Sequence, residues 1–241
     1  MSKIVKKMIY LSLKLYELSL GKVLYSIAKK YTSLHTKLLH YTDWYFSDIK
    51  PSSYKHEINL YNWIYDPSQC QFAEGGVFGR MLIKPNDYVL DLCSGDGSYA
   101  YLFFSDIAHT VDAIDYSEVS IEYARKNYGK NNINYICANL LQYQFASKLY
   151  DVIMWGAGVA YFTQENRKTI FNKIHASLKD NGKVYIRTPL ENKANYSANQ
   201  IEVIIDESNF EKEFKALFNI VLKQKTFYNN RINLNYILEK I

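Results

Sequence analysis

From Tyr88 onward, short apolar runs alternate with longer stretches whose apolar residues recur at helical spacing. Tyr88–Cys93, Thr110–Ile114, Ile133–Cys137, Tyr150–Trp155 and Lys183–Arg187 read as strands. Between them, Ser98–Ser105, Ser117–Tyr128 and Gln164–Leu178 read as helices, the second opened by a serine cap at Ser117. Asn181-Gly182 supplies a turn into the fifth strand. Such strand–helix alternation predicts a parallel sheet with helices on both faces. The rhythm then breaks. Asn209–Leu217 is helical, and the alternating segments Ile220–Phe227 and Ile232–Leu238 flank Asn229-Asn230, the pattern of an antiparallel hairpin.

Ahead of this region, Ile4, Met8, Leu11, Leu15 and Leu18 step along one helix face. Leu24, Ile27, Tyr31, Leu34 and Leu38 continue the stepping after Gly21. Pro51-Ser52-Ser53 and Asp66-Pro67-Ser68 are turns around a hydrogen-bonding, aromatic segment, Tyr54–Trp63. Gly75-Gly76 and Gly79 then lead through Lys84-Pro85-Asn86-Asp87 to the first strand. The expected organisation is a helical segment over 1–66 and an α/β domain over 67–241.

Charge sharpens that division. Residues 1–50 hold nine lysines against Glu17, Asp43 and Asp48, whereas the remainder is close to neutral. A near-neutral body argues against a long phosphate-contacting groove, so no nucleic-acid partner is expected. The basic helices fit a lid over the site, a peripheral contact with an anionic membrane, or a dimer contact. Lys14 and Glu17 interrupt the first apolar stretch, which argues against a signal peptide. No run reaches the roughly 20 apolar residues that span a bilayer. With Cys70, Cys93 and Cys137 unpaired in spacing, neither a disulfide framework nor a zinc site follows, and a cytoplasmic location is expected.

The chemistry concentrates at Val89-Leu90-Asp91-Leu92-Cys93-Ser94-Gly95-Asp96-Gly97. A strand runs into a glycine turn whose backbone can approach a ligand closely. Taken alone, Gly95-x-Gly97-x-x-Ala100 also fits a dinucleotide fingerprint. Asp91 discriminates, because a carboxylate inside a buried strand needs a partner to offset its desolvation, and a cationic ligand amine supplies one. Asp115 ends the second strand, 18 residues after Gly97, where a carboxylate can accept both ribose hydroxyls. Asn139 follows the third strand, and Trp155-Gly156 carries the chain back to the cleft after the fourth.

In this order and spacing, these elements over about residues 72–241 resemble the class I S-adenosylmethionine-dependent methyltransferases. The resemblance implies a seven-stranded, mostly parallel Rossmann-like sheet of order 3-2-1-4-5-7-6, its final hairpin included. It further implies S-adenosylmethionine as cofactor, with S-adenosylhomocysteine as product. Asp91, Gly95 and Gly97 would hold the methionine part, Asp115 the ribose, and Tyr116 would pack on the adenine. Asn139 stands where many members have an aspartate that accepts the adenine amino group, and Leu140 would offer its backbone N–H. Trp155 and Gly156 would line the methionine end.

For the acceptor, exclusions come first. The stretch Trp155-Gly156-Ala157-Gly158 replaces the Asn/Asp-Pro-Pro-aromatic motif of amino-group nucleic-acid methylases. No cysteine follows a proline, and no acidic and histidine cluster suggests a catalytic metal. Tyr161 stands where small-molecule members carry a residue facing substrate. His56 is the corresponding candidate in the N-terminal segment, titrating in the right range. Arg187, leaving the fifth strand, is the candidate anchor for an anionic acceptor, with a salt bridge at the sheet edge as its structural alternative. The chain, Tyr54–Trp63 included, resembles methyltransferases encoded with bacterial glycan and capsule biosynthesis, which implies O-methylation of a sugar or phosphorylated intermediate. Two other classes stay open: a non-catalytic cofactor-binding partner of a methylase complex, and a dinucleotide oxidoreductase.

Overall fold

The computed structural model describes residues 70–190, 205–228 and 231–241. The expected N-terminal helices, Tyr54–Trp63 with His56, the boundary at 66/67 and the Asn229-Asn230 turn all lie outside the described residues. The chain divides into two units, Met1–His56 and Glu57–Ile241, and every described residue belongs to the second.

Helix α1 (Cys70–Leu82) precedes strand β1 (Tyr88–Leu92) and a π-helical turn, Ala100–Phe104. Strand β2 (Thr110–Asp115), helix α2 (Glu118–Asn127) and strand β3 (Ile133–Cys137) follow. Strand β4 (Tyr150–Trp155), a 3-10 turn (Ala157–Tyr161) and helix α3 (Gln164–Ser177) lead into strand β5 (Leu178–Leu190). Helix α4 (Glu207–Lys212), strand β6 (Phe218–Tyr228) and strand β7 (Arg231–Lys240) complete the described chain. The seven strands form one sheet in the order β3-β2-β1-β4-β5-β7-β6, with β7 antiparallel to both of its neighbours. This is the expected Rossmann-like arrangement.

The two-residue period of the strands divides the core into two layers. Val89, Val111, Ala113, Val152, Met154 and Tyr185 face α1, the π-helical turn and α2. Leu90, Leu92, Ile153, Trp155, Val184 and Ile186 share the opposite layer with Phe171, Phe210 and Phe214. Helix starts follow local chemistry: Ser117 accepts from the Ser120 N–H at α2, and Thr163 from the Asn166 N–H at α3.

Two segments differ from expectation. The glycines Gly75, Gly76 and Gly79 lie inside α1 rather than in a connection. Glycine is a poor helix former, so propensity hides this element. Close packing explains it. A Cβ on Gly76 would lie 2.3 Å from the Phe103 ring, and one on Gly79 2.8 Å from Phe104. The missing side chains let α1 lie directly on the π-helical turn. The second difference is at β5, where Asn181-Gly182 was expected to turn the chain into a short strand. Extended structure instead begins at Leu178, and the strand bulges between the pairs Tyr150–Leu178 and Val152–Lys183.

Candidate functional site

The site is built where β1 leaves the sheet. Cys93, Gly95 and Gly97 have φ values of 58°, 56° and 76°, so the loop folds back through the left-handed region. At Gly97 a side chain is excluded twice, since its Cβ would also lie 2.4 Å from the Tyr135 ring. The loop is pinned from several directions. Ser94 N–H donates to Ile114 O at 3.0 Å, and Gly97 N–H to Ser94 O at 3.1 Å. The Tyr135 hydroxyl donates to Tyr128 O at 2.9 Å, which holds that ring beneath the loop.

Asp91 is 4% exposed, and its Oδ2 has no hydrogen-bond partner among the described residues. Burial pushes its carboxyl up to about 8, helped by the negative charges of Asp115 and Asp96. A buried carboxylate without a compensating donor is costly. Ser94 Oγ is a second buried polar atom lacking a partner. An ammonium group satisfies the first and a polar ligand atom the second, so the residues present fit the amino-acid end of the cofactor the sequence implies.

Asp115 sits between the glycine loop and the start of α2. Its Oδ2 accepts from Gly95 N–H at 2.9 Å and its Oδ1 from Ser117 N–H at 2.8 Å. Burial raises its carboxyl, and the two backbone donors act in the opposite sense. Ribose hydroxyls approaching this carboxylate would find its orientation already set. Tyr116 is the next residue and is 78% exposed, an aromatic face available for stacking.

Asn139 begins the loop after β3. Its side-chain oxygen accepts from Leu141 N–H at 3.0 Å, so the amide closes a turn while keeping its NH2 group and a second lone pair. The Asn139 carbonyl accepts from Gln142 N–H at 3.0 Å and Tyr143 N–H at 2.8 Å. Ala138 N–H donates to Asp115 O at 2.9 Å, tying this loop to the end of β2. The Leu140 side chain is buried, which leaves only its backbone for a ligand.

Other residues are placed differently from their expected roles. The Trp155 side chain is fully buried, with ring contacts to Phe171 at 5.3 Å and Phe162 at 5.8 Å. Strand alternation turns it into the core, so only its backbone and Gly156 remain for the methionine end. Tyr161 closes the 3-10 turn after β4 and is 36% exposed. Arg187 is buried and pairs with Glu74 at 3.8 Å, the structural alternative to an anion anchor. Arg187 also hydrogen-bonds the Tyr99 hydroxyl.

The cluster around Glu74 has no counterpart in the sequence analysis. Asn233 and Asn235 donate to its two carboxylate oxygens at 2.6 and 2.9 Å, and Thr226 donates as well. The Tyr185 hydroxyl donates to Asn235 Oδ1 at 2.6 Å. Glu74 reaches β6 and β7 from within α1, a helix whose glycines conceal it from local propensity. Among the described residues, no group of three or more His, Cys, Asp or Glu side chains is arranged to hold a metal.

Residues 89–182 match a family model described as a methyltransferase domain. Over 109 residues the chain is 31% identical to the 2-phytyl-1,4-naphtoquinone methyltransferase of a Nostoc species, covering 43% of this chain and 47% of that protein. Over 130 residues it is 28% identical to the demethylmenaquinone methyltransferase of Chlamydia caviae, covering 52% and 54%. The chain therefore spans about half the length of the curated relatives it matches. Among solved structures, the geranyl diphosphate C-methyltransferase of Streptomyces coelicolor, complexed with S-adenosyl-L-homocysteine, superposes with a TM-score of 0.59. That match covers 72% of this chain and 76% of the other at 11% identity, a likeness of fold.

Proposed function

We propose that this chain is an S-adenosylmethionine-dependent methyltransferase acting on a small hydroxylated molecule. The carrying observation is Asp91, whose buried, partnerless carboxylate oxygen lies at the glycine turn and calls for a cationic ligand. The match over residues 89–182 supports the same reading. A dinucleotide has no ammonium to offer at Asp91, which leaves the oxidoreductase alternative without an account of that carboxylate.

When bound, the cofactor supplies a sulfonium methyl group already activated for in-line transfer. The protein's task is then mainly placement. Asp91 holds the amino-acid end, Asp115 the ribose, and Tyr116 covers the base. Tyr161, at the exit of β4, meets the acceptor and handles the hydroxyl proton. His56 is the alternative for that step.

Two acceptor classes divide at Arg187. A sugar or phosphorylated intermediate of bacterial surface-glycan synthesis relies on this arginine as an anion anchor, yet Glu74 already answers its charge. The two curated relatives are named as quinone methyltransferases, and an uncharged phenolic ring needs no such anchor. We therefore favour a reduced quinone or related phenolic acceptor.

The test is methyl transfer from labelled cofactor into hydroquinones, nucleotide sugars, sugar phosphates and tRNA, assayed side by side. Label is expected in the hydroquinone fraction. Label in sugar phosphates alone would restore the glycan reading, and label in tRNA alone would refute a small-molecule acceptor.

A further inference from the structure

Lys173 lies in α3, outside every residue discussed so far, and its ammonium is fully occupied in an unusual way. It donates to Leu140 O at 3.0 Å, Leu141 O at 2.6 Å and Tyr143 O at 3.0 Å. An ammonium has three N–H donors, and here each finds a carbonyl of one loop. The neighbouring Phe145 ring adds a cation–π contact, its centroid 5.7 Å from Nζ. Helix α3 is anchored by Ile170, Phe171 and Ile174, all buried, so the lysine extends from a fixed base.

The clamped segment joins β3 to β4 and contains no helix or strand. It also carries Asn139 and Leu140. A loop of this kind gains little order from its own backbone bonds, and its peptide planes are free to rotate unless something holds them. Lys173 fixes the carbonyls of residues 140, 141 and 143. The Asn139 carbonyl is fixed separately by Gln142 and Tyr143 N–H. Because a peptide is planar and trans, fixing the Asn139 carbonyl sets the Leu140 N–H in the opposite direction.

We infer that Lys173 is a positioning residue for the nucleoside base, holding the Asn139–Tyr143 loop so that Asn139 and the Leu140 N–H meet the adenine ring. This inference rests on the cofactor reading above. Desolvation lowers the ammonium's pKa, the cost of placing this charge among carbonyls rather than in water.

Two ligands separate this role from general stability. S-Adenosylhomocysteine carries both the adenosine and the amino-acid end, whereas 5′-methylthioadenosine carries the adenosine without the amino-acid end. Lys173→Met keeps the apolar stem and removes the three donors. It is expected to weaken both ligands by the same factor, about ten-fold, the scale for losing hydrogen bonds to a charged group. Lys173→Arg, which retains charge and several donors, is expected to recover at least half of that loss on a logarithmic scale. Asp91→Asn provides the contrast, since it should weaken only the ligand with the amino group. Should Lys173→Met fail to fold, Lys173→Gln carries the same comparison. Unchanged affinity for 5′-methylthioadenosine in a folded variant would overturn the inference, as would a loss confined to S-adenosylhomocysteine. If the wild-type protein binds neither ligand, the cofactor reading itself fails before the variants are compared.

Discussion

Asp91→Asn will weaken S-adenosylhomocysteine binding by about 10- to 100-fold, the range set by losing a charge-assisted hydrogen bond of roughly 1.5–3 kcal/mol. The same substitution will make the ligand-free protein more stable in alkaline solution. Both effects come from one carboxylate. In the folded chain its pKa is raised to about 8, against roughly 3.9 when unfolded, so the protonated form favours the fold. That stabilisation is complete below the unfolded value and is lost as pH climbs through 8. An asparagine has no proton to lose and escapes the penalty. Ligand titration and urea melts across pH 6 to 9 measure the two effects on the same samples. A variant that binds normally would remove Asp91 from the site, and one that unfolds at alkaline pH would show a structural carboxylate.

Arg167→Met will cost about 3–5 kcal/mol of stability, the largest loss expected for a residue outside the site, because it strands a buried charge. Arg167 pairs with Glu213 through two bonds, Nε to Oε2 at 2.8 Å and Nη2 to Oε1 at 2.6 Å. The two side chains are 5% and 1% exposed. The third arm donates to Phe162 O at 2.7 Å, directly after the turn that carries Tyr161. One guanidinium thus ties α3 to the chain following α4 and to the end of the turn that carries Tyr161. Replacing both partners, as in Arg167→Met with Glu213→Leu, should recover much of the loss, since no charge is then left unpaired. Urea denaturation of the single and double variants decides this. A single-variant loss below about 1 kcal/mol would mean that water reaches the pair.

How far the sequence carried depended on whether a residue's role was local. Asp91, the glycine turn and Asp115 follow from a strand, a turn and a strand end, each readable within a few residues. The parallel sheet followed from strand–helix alternation, whereas its order came with the family resemblance rather than from the pattern itself. Helix α1 was hidden because its glycines oppose helix formation locally and are explained only by Phe103 and Phe104 beneath them. Glu74 and Arg187 were hidden from each other for the same reason: their pairing joins residues more than a hundred positions apart. Trp155 was expected to line the methionine end, but β4 is buried on both faces and its indole lies in a core layer. Lys173 gave no signal at all, because a lysine on a helix usually faces solvent.

The central claim is that the glycine turn and Asp91 form a site for a nucleoside carrying an ammonium group. Calorimetric titration of S-adenosylhomocysteine and NAD near neutral pH, each in two buffers of different ionisation enthalpy, tests it most directly. Asp91 is protonated before binding and must ionise to meet the ammonium. The account therefore predicts binding of S-adenosylhomocysteine with release of close to one proton per site, and no heat with NAD. Binding of NAD without S-adenosylhomocysteine would contradict the claim, and so would S-adenosylhomocysteine binding whose heat is identical in the two buffers.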